Sequence, residues 1–308
     1  MSDVPKQISA NGSWVQCDEK LKDKTAIITG ANTGIGFWTA VDLARRGAKV
    51  ILACRNVEKA QEARAQVVKE AKCLEEKVGL KILDLASFAS IRKFAEDIIA
   101  TEDKLNILVN NAGVMLCPEG KTEDGFETQF GVNHLGHFLL TNLLLDLIKI
   151  SAPSRIVVLS SLGHKFGSMN FDDLNSSKNY DAWAAYGQSK LANILFCRHL
   201  AKQLEGTGVT VNSVHPGSVK TDLQRHLDSP GNFFMKTFVK LHRLIMSWKT
   251  AEHGAQTSIY CAIAPELADV TARYFSDCHV ENESNAAKND ADAEKLWNIS
   301  IEMAKLNA

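Results

Sequence analysis

Two residues four positions apart, Tyr186 and Lys190, form the pair in this chain that is best suited to moving a proton. On a helix that spacing brings both side chains to one face. A free tyrosine has a pKa near ~10, which is too high for efficient acid–base work at neutral pH. A neighbouring ammonium favours the phenolate, and lowering the pKa by ~3 units requires about 4 kcal/mol of differential stabilisation. Such a pair is common on surface helices, so its position in the fold decides whether it is interpreted as catalytic.

Two serines, Ser160 and Ser161, follow an apolar stretch at 156–159 that reads as the fifth strand of the chain. The carboxyl ends of strands are where ligands bind in parallel sheets, and the Tyr186 pair follows this strand. A serine hydroxyl here can donate to a substrate carbonyl and to the alkoxide that forms from it. Because side chains alternate along a strand, one of the two serines faces the site, and alternation leaves open which one.

A glycine-rich segment, residues 29–36, follows the first apolar strand and leads into a helical pattern at 37–46. Its glycines, Gly30, Gly34 and Gly36, allow a sharp turn and a close approach of the backbone to a pyrophosphate. The helix that follows offers free N–H groups and the positive end of its dipole. The alternative is a plain glycine-rich turn. The strand before the segment and the helix after it favour a dinucleotide-binding loop.

The end of the second strand indicates which dinucleotide binds. An NAD enzyme commonly has Asp or Glu here to bind the ribose 2′-hydroxyl, whereas this chain has Cys54, Arg55 and Asn56. With no carboxylate to repel it, a 2′-phosphate can be bound by the fork of Arg55. The alternative is a solvated arginine at the start of a helix. We therefore predict NADP(H), whose oxidised nicotinamide would help Lys190 to lower the pKa of Tyr186.

Seven short apolar runs, rich in β-branched residues, alternate with helical patterns. They lie at 25–28, 50–52, 80–83, 107–109, 156–159, 209–214 and 272–275. Continuous apolar runs are typical of strands buried on both faces, and right-handed crossovers place helices on both sides. The sequence predicts an α/β protein: a single Rossmann-type doubly wound domain with a mainly parallel seven-stranded sheet and helices on both faces. We expect a polar N-terminal tail at 1–20 and one domain at 21–308 that ends in an amphipathic helix at 292–306.

The composition excludes several classes of protein. A net charge of −1 over 308 residues gives no electrostatic reason to expect nucleic acid as a partner. The seven cysteines are scattered, which is typical of reduced thiols in a cytosolic compartment, and none is grouped with His at metal-ligand spacing. His134 and His137 lack a third ligand nearby, so we expect no metal and expect both rings to pack on the cofactor side.

Membrane insertion is not indicated. No stretch reaches the ~18 uninterrupted apolar residues that a membrane-spanning helix needs. Residues 1–24 are polar and lack the apolar core of a secretory signal. We therefore expect a cytoplasmic protein. Peripheral contact with an intracellular membrane is left open, as is a homo-oligomer.

Several motifs together resemble those of the short-chain dehydrogenases over nearly the whole chain. They are found at 29–36, 84–85, 110–113, Asn133, Ser161, Tyr186 with Lys190, 216–217 and Thr221. The resemblance implies that Asn133, Ser161, Tyr186 and Lys190 are catalytic. By the same likeness, Asn133 would hold a proton-relay water near Lys190, and Ser161 rather than Ser160 would be the catalytic serine.

The resemblance also implies how the cofactor is held. Asp84 would contact adenine, and Asn110 and Gly113 would line the cofactor. The backbone after Pro216, with Thr221, would fix the nicotinamide carboxamide. The full set of expected NADP(H)-binding residues is Gly30, Asn32, Thr33, Gly34, Ile35, Gly36, Arg55, Asp84, Leu85, Asn110, Ala112, Gly113, Tyr186, Lys190, Pro216, Gly217, Val219 and Thr221.

Within that family the chain looks most like the NADP-dependent retinol dehydrogenases, which are retinal reductases. The motifs that carry this likeness lie at 52–56, 131–138, 160–164, 186–196, 215–217 and 274–278. The likeness implies an NADP(H)-dependent oxidoreductase that interconverts an apolar alcohol and its aldehyde or ketone, with retinol and retinal as the leading pair. The alternatives are a carbonyl reductase for steroid, quinone or xenobiotic carbonyls and a low-turnover protein that senses NADP(H).

A segment at 232–249, rich in apolar and basic residues, falls within a lid region that the resemblance implies at about 220–250. It either covers a lipophilic pocket, rests on a membrane surface or packs as an ordinary helix on the core. Membrane-bound retinol dehydrogenases usually begin with an apolar anchor, whereas this chain begins with a polar tail. We therefore favour a lid.

Overall fold

The computed structural model describes residue 15, residues 17–219 and residues 249–306. Thr221, most of the predicted lid region and most of the predicted N-terminal tail lie outside the described residues. The described chain forms one sheet with a buried apolar layer on each face. The predicted α/β doubly wound fold is therefore confirmed.

The sheet has eight strands in the order β3-β2-β1-β4-β5-β6-β7-β8. Their bounds are β1 Thr25–Thr29, β2 Lys49–Cys54, β3 Val78–Ile82, β4 Ile107–Asn110, β5 Ser154–Leu159, β6 Val209–His215, β7 Tyr274–Ser276 and β8 His279–Val280. Neighbouring strands are parallel from β3 through to β7, and β8 pairs antiparallel with β7. Strand order reverses between β1 and β4, so their carboxyl ends flank the switch point where such sheets bind ligands.

The prediction of seven strands is wrong by one. The eighth strand has two residues and follows a reversal in which Asp277 and Cys278 adopt positive φ angles of 51° and 61°. Two residues are too few to give an apolar run or an alternation, so the sequence pattern cannot indicate this strand. The other seven overlap their predicted positions.

Helices cover both faces of the sheet. Their bounds are α1 Gly34–Arg45, α2 Val57–Ala71, α3 Phe88–Thr101, α4 Thr128–Phe130, α5 Gly136–Leu143, α6 Leu145–Ile150, α7 Ala182–Gln203, α8 Ala251–Ile263 and α9 Asp290–Met303. Apolar residues of α1, α2 and α8 are buried on one face, and those of α3, α5, α7 and α9 on the other. Among the described residues, no helix is long and apolar enough to cross a membrane.

The helix that positions the predicted proton-transfer pair is α7. It begins after Asp181, whose carboxylate accepts a hydrogen bond from the Ala184 amide at 2.7 Å. Residues 185–197 of this helix are all buried, as expected for a helix packed on every side. Tyr186 and Lys190 are one turn apart near its start, so the helical spacing predicted for the pair is present.

Candidate active site

The glycine-rich segment joins β1 to α1 through a sharp turn. Gly30 and Gly34 adopt positive φ angles of 64° and 61°, where an L side chain would be strained. A Cβ on Gly36 would lie 2.5 Å from Asn111 Nδ2 and 2.6 Å from the Gly30 carbonyl oxygen. The segment is therefore packed directly against the loop that follows β4.

The first turn of α1 is open to an anion. The amides of Gly34, Ile35 and Gly36 belong to the helical turn that has no intrahelical acceptors. Within the described part of the chain, α1 begins after Thr33 with no side-chain capping bond and no acidic residue in its first turn. Unused amides, the positive end of the helix dipole and the lack of local negative charge suit the pyrophosphate of a dinucleotide.

The end of β2 is hydrogen-bonded to the glycine-rich segment. The backbone amides of Ala31 and Asn32 donate to the thiol of Cys54, and burial raises the pKa of that thiol to about 11. The next residue, Arg55, is exposed, and Asn56 caps the start of α2. The guanidinium of Arg55 therefore lies in solvent at the strand end where the sequence predicts a 2′-phosphate.

Asp84 and Leu85 follow β3, which is the parallel neighbour of β2. The Asp84 carboxylate accepts a hydrogen bond from the Ala86 amide at 2.9 Å, and the Asp84 amide donates to Ser90 Oγ at 3.0 Å. A Cβ on Gly136 of α5 would lie 2.6 Å from the Leu85 carbonyl oxygen. Because neighbouring parallel strands end at one edge, both residues lie at the same edge of the sheet as Arg55.

The hydroxyl of Thr29 ties the loop after β4 to the end of β1. It accepts hydrogen bonds from the backbone amides of Asn111 and Ala112, each at 2.9 Å, and Asn111 Nδ2 donates to the Thr29 carbonyl at 2.7 Å. The Asn110 side chain is buried, and its Nδ2 donates to Thr141 Oγ1 at 2.8 Å. The Asn110 side chain therefore bonds within the core, and the loop is held by Asn111, which the set of expected cofactor residues lacks.

Tyr186 and Lys190 are buried together near the ends of β4 and β5. Lys190 Nζ lies 5.7 Å from the centre of the Tyr186 ring and donates to the Leu159 carbonyl at 3.1 Å. The Ser161 side chain is hydrogen-bonded to Tyr186. A Cβ on Gly113 would lie 3.6 Å from Lys190 Nζ, so the loop after β4 reaches the same place. The structure thus brings Ser161, Tyr186 and Lys190 together.

Burial sets the protonation of this pair. Removal from water raises the pKa of Tyr186 to about 12, although the hydrogen bond with Ser161 opposes the rise. The same cause lowers the pKa of Lys190 to about 8. In the cofactor-free protein the net shift is therefore upward, because the lost solvation of the phenolate outweighs the hydrogen bond with Ser161. The lowered pKa expected with Lys190 and an oxidised nicotinamide together stays a prediction. At neutral pH Tyr186 is a neutral phenol and hence a proton donor.

The two serines make different contacts. Ser160 is buried and donates to the backbone carbonyl of Lys190 at 2.7 Å. Ser161 Oγ accepts from the Gly163 amide at 3.1 Å and is hydrogen-bonded to Tyr186. Strand alternation left the choice between the serines open. The contacts make Ser161 the serine beside Tyr186, whereas Ser160 secures α7.

Asn133 lies in a π-helical turn, Gly131–Leu135, between α4 and α5. Its Oδ1 accepts from the Val114 amide at 2.8 Å, and its Nδ2 donates to the Val114 carbonyl and to Ser189 Oγ, both at 2.9 Å. Ser189 Oγ donates to the Tyr186 carbonyl at 2.8 Å. The side chain of Asn133 therefore joins the loop after β4 to α7, and the proton-relay water expected at this residue stays a prediction.

The segment after β6 borders the site at the next strand end. Gly217 adopts a φ of 85°, and Pro216 is half-buried. Val219 packs against α8, where a Cβ on Gly254 would lie 2.5 Å from the Val219 side chain. Three of the four cofactor residues predicted here are therefore at the carboxyl end of β6, and the fourth, Thr221, lies outside the described residues.

His164 is a site residue that the predicted set lacks. Its Nδ1 lies 2.6 Å from the Ser161 carbonyl oxygen, and its Nε2 lies 3.1 Å from the Ser284 amide. Because an amide N–H only donates, Nε2 accepts, and Nδ1 carries the proton that bonds Ser161. Burial lowers the pKa of His164, in keeping with a neutral ring. His164 thus links the Ser161 backbone to that of Ser284, 120 residues from His164, and no local motif could indicate such a contact.

The two histidines of the 131–138 motif have different surroundings. His134 Nε2 lies 3.0 Å from Ser300 Oγ of α9, and its ring centre lies 5.1 Å from that of Phe130. The prediction that His134 packs on the cofactor side is therefore wrong. His137 does lie on that side, with Nε2 at 2.9 Å from Thr29 Oγ1. In the described ranges, no group of three or more His, Cys, Asp or Glu could hold a metal ion.

Comparison with known proteins identifies the family. A family model described as short chain dehydrogenase matches residues 24–231, more than half of the chain. The chain belongs to the short-chain dehydrogenase family. Human retinol dehydrogenase 14 is 52% identical over 297 residues, which are 92% of this chain and 87% of that protein. Human retinol dehydrogenase 12 is 49% identical over 293 residues, which are 95% of this chain and 90% of that protein.

Solved structures share the fold of this short-chain dehydrogenase. An uncharacterized protein from Mycobacterium paratuberculosis matches with a TM-score of 0.73 and 33% identity, covering 93% of this chain and 95% of that one. The Pseudomonas aeruginosa RhlG/NADP active-site complex matches with a TM-score of 0.64 and 24% identity, covering 87% of this chain and 98% of that one. The second likeness concerns the fold alone. By its family and its retinol dehydrogenase relatives, the protein is an oxidoreductase.

Lys190 should make this short-chain dehydrogenase less stable than an apolar residue would. Keeping its ammonium out of water lowers its pKa from 10.5 to about 8. At about 1.4 kcal/mol per pKa unit, the destabilisation at pH 7 is on the order of 3 kcal/mol. Lys190→Met should therefore raise the Tm of the cofactor-free protein, measured by circular dichroism. The Leu159 carbonyl keeps a donor in this variant, because Asn193 Nδ2 also bonds it at 2.9 Å.

The pH dependence of the increase in Tm distinguishes the cost of burying a charge from an effect of side-chain packing. Because the folded pKa of Lys190 lies below the unfolded one, the destabilisation is complete below pH of about 8 and disappears as the pH rises through about 10.5. The gain from Lys190→Met should shrink accordingly. Lys202→Met, at a half-exposed position of the same helix beside Asp290, is the matched control and should give no gain. A pH-independent gain, or an equal gain from both variants, would contradict the interpretation.

Proposed function

We propose that this short-chain dehydrogenase uses NADP(H) to interconvert an apolar alcohol and its aldehyde or ketone, with retinol and retinal as the leading pair. The observation that carries the proposal is the buried group of Ser161, Tyr186 and Lys190. A hydroxyl is bonded to a neutral phenol whose ring centre lies 5.7 Å from an amino group. Such a group can polarise a carbonyl and protonate it. A protein that only senses NADP(H) has no use for it.

The residues at the ends of β1 and β2 fit a phosphorylated dinucleotide. The open first turn of α1 offers amides to a pyrophosphate, and Gly36, which has no room for a Cβ, lets the helix pack closely on Asn111. Exposed Arg55 follows β2, where neither neighbour is acidic, and its planar fork matches a 2′-phosphate. When bound, the nicotinamide supplies or accepts a hydride. Tyr186 and Lys190 are both near the loop after β4 that would line it.

In the direction of reduction, Tyr186 donates its phenolic proton to the carbonyl oxygen while the carbonyl carbon takes up a hydride. The pKa of about 12 keeps that proton on the phenol at neutral pH until the oxygen becomes basic. The Ser161 hydroxyl stabilises the oxygen as negative charge develops on it. Lys190, with a pKa of about 8, gains and loses a proton readily near neutral pH and can resupply the phenolate.

An apolar substrate is supported by the relatives and by the surface beside the site. The relatives at 52% and 49% identity are named retinol dehydrogenases. Large apolar side chains are exposed on the segments next to Ser161 and Tyr186, with Leu162 at 44%, Phe166 at 86% and Trp183 at 41%. Exposed apolar groups close to a site mark a surface that an apolar molecule can cover. A retinoid has that character, as do steroids and quinones.

The direct test is an assay of the purified protein with NADPH against retinal and a panel of steroid, quinone and xenobiotic carbonyls. We expect NADPH consumption coupled to the formation of retinol. Reduction of another carbonyl in place of retinal would support the carbonyl reductase alternative. Tight binding of NADPH without turnover of any carbonyl would support the sensing protein.

Cofactor choice should depend on Arg55. Arg55→Asp places a carboxylate where the 2′-phosphate is expected, so it should weaken NADPH binding by about 1.5–3 kcal/mol more than NADH binding. Fluorescence titration with both cofactors measures the difference. Lys59→Asp, the same charge reversal at an exposed position in the first turn of α2, is the control for general electrostatics. Equal losses for both cofactors in Arg55→Asp would rule out the assignment.

Proton transfer should depend on the phenol of Tyr186. Tyr186→Phe removes the transferable proton and little else, so turnover should be lost while NADPH affinity is kept. Tyr180→Phe is the matched control, because Tyr180 also has a bonded phenol, donating to the Cys117 carbonyl at 2.8 Å away from the proposed reacting group. Steady-state kinetics and NADPH titration of both variants make the test. Near-wild-type turnover in Tyr186→Phe would show that the proposed mechanism is wrong.

A further inference from the structure

A buried histidine, His137, connects two parts of the site. It lies in the first turn of α5, directly after the π-helical turn that carries Asn133, and is 1% exposed. Its Nδ1 lies 3.1 Å from the backbone carbonyl oxygen of Asn133, and its Nε2 lies 2.9 Å from Thr29 Oγ1. Thr29 ends β1 and opens the glycine-rich segment. One imidazole therefore spans from the dinucleotide loop to the turn that carries a predicted catalytic residue.

The partners of His137 determine where its proton lies. The carbonyl of Asn133 only accepts, so Nδ1 donates to it. The Thr29 hydroxyl already accepts two backbone amides of the loop after β4, so its own proton is directed to Nε2. The other acceptor near that hydroxyl, the Val109 carbonyl, lies 3.5 Å away and competes poorly. Burial lowers the pKa of His137 to about 4, and the neutral ring that results matches this pattern.

Asn133 is thereby held from both sides. Its side chain is bonded to Val114 and to Ser189, and Ser189 is bonded in turn to the Tyr186 backbone. Its backbone carbonyl is bonded to His137. The orientation of Asn133 relative to Tyr186 and to the dinucleotide loop therefore depends on these contacts together.

We propose that His137 is a positioning residue: by donating from Nδ1 to the Asn133 carbonyl it fixes the turn that carries Asn133 relative to the proton-transfer residues, while the Thr29 hydroxyl holds its ring in that orientation. Hydride and proton transfer both require reacting atoms near contact distance, and a displacement of about 1 Å can reduce the rate about 100-fold. The proposal rests on the proposed function in that its main readout is carbonyl reduction. It requires no particular substrate.

His134 provides the matched control for packing. It lies three residues earlier, is also 1% exposed, and is also hydrogen-bonded, to Ser300 Oγ at 3.0 Å. Its ring packs among aromatic side chains that include Phe130 and Phe138. Its partners are Ser300 of the C-terminal helix α9 and the side chain of Asn193 on α7, and neither of them bonds Asn133. Removal of either ring disturbs the core to a similar extent, whereas removal of His137 alone releases Asn133.

Three variants separate positioning from packing. His137→Phe retains a ring and removes both hydrogen bonds. His137→Asn provides an amide donor for the Asn133 carbonyl, four residues earlier. The same helix shows that an asparagine can make such a contact, because Asn142 Nδ2 donates to the Phe138 carbonyl at 2.8 Å. His134→Phe disturbs the core without touching Asn133.

We expect kcat to fall about 10–100-fold in His137→Phe, while the NADPH dissociation constant from fluorescence titration stays close to the wild-type value. His137→Asn should regain most of the lost kcat even though the smaller side chain lowers its Tm. His134→Phe should lose Tm and keep kcat. The proposal is overturned if His137→Asn is as slow as His137→Phe, or if His134→Phe is slowed as much as His137→Phe.

A spectroscopic readout keeps this test apart from the proposed function. In the wild-type protein, ¹⁵N NMR of His137 should show a neutral ring with the proton on Nδ1, with or without substrate. A proton on Nε2 would overturn the positioning role even if retinal were reduced. A wild type that bound NADPH and reduced no carbonyl would overturn the proposed function, while the ring measurement would still decide the hydrogen-bond pattern.

Discussion

Lys190 keeps its amino group inside the protein, with the Leu159 carbonyl as acceptor at 3.1 Å. A cation removed from water is unfavourable unless its surroundings compensate, and here the pKa falls to about 8. The helix that carries it, α7, is buried over residues 185–197, which requires packing from several elements at once. The same exclusion of water raises the pKa of Tyr186 to about 12. One constraint, burial of this turn of α7, therefore gives both residues their protonation states.

Neutral polar side chains hold the surrounding backbone in place. The Thr29 hydroxyl accepts two amides of the loop after β4, and Ser160 donates to the carbonyl of Lys190. His164 donates to the carbonyl of Ser161, and Ser189 donates to that of Tyr186. Each contact fixes main chain and leaves the proposed reacting side chain unobstructed. Buried hydrogen bonds of this kind are expensive to break, so they hold the site rigidly.

The fold and the main site residues could be predicted from the sequence because their signals are local. Continuous apolar runs predict buried strands, and the glycine-rich segment at 29–36 derives its meaning from the strand before it and the helix after it. The two-residue strand β8 was missed because it is too short for any periodicity. The roles of Asn110 and Asn111 could not be separated either, since adjacent identical residues give no signal about which one turns into the core.

Features that depend on residues distant in the chain could not be predicted from the sequence. The upward pKa shift of Tyr186 in the cofactor-free protein could not be predicted, because its neighbour Lys190 is visible as a pattern while the packing that removes water from both residues is not. His164 braces Ser161 through Ser284, and His134 turns towards Ser300 of α9. These pairings are set by how α7, α9 and the sheet pack together. These pairings can be identified only in the folded structure.

Burial, rather than the charge of Lys190, governs Tyr186 in the cofactor-free protein. The most direct measurement is a pH titration of the Tyr186 phenol by ¹³C NMR of tyrosine-labelled protein, with Tyr186→Phe used to assign its signal. The prediction is that Tyr186 remains un-ionised through pH 10, with a midpoint near a pKa of about 12. A midpoint at or below the value of about 10 found for a free tyrosine would contradict it.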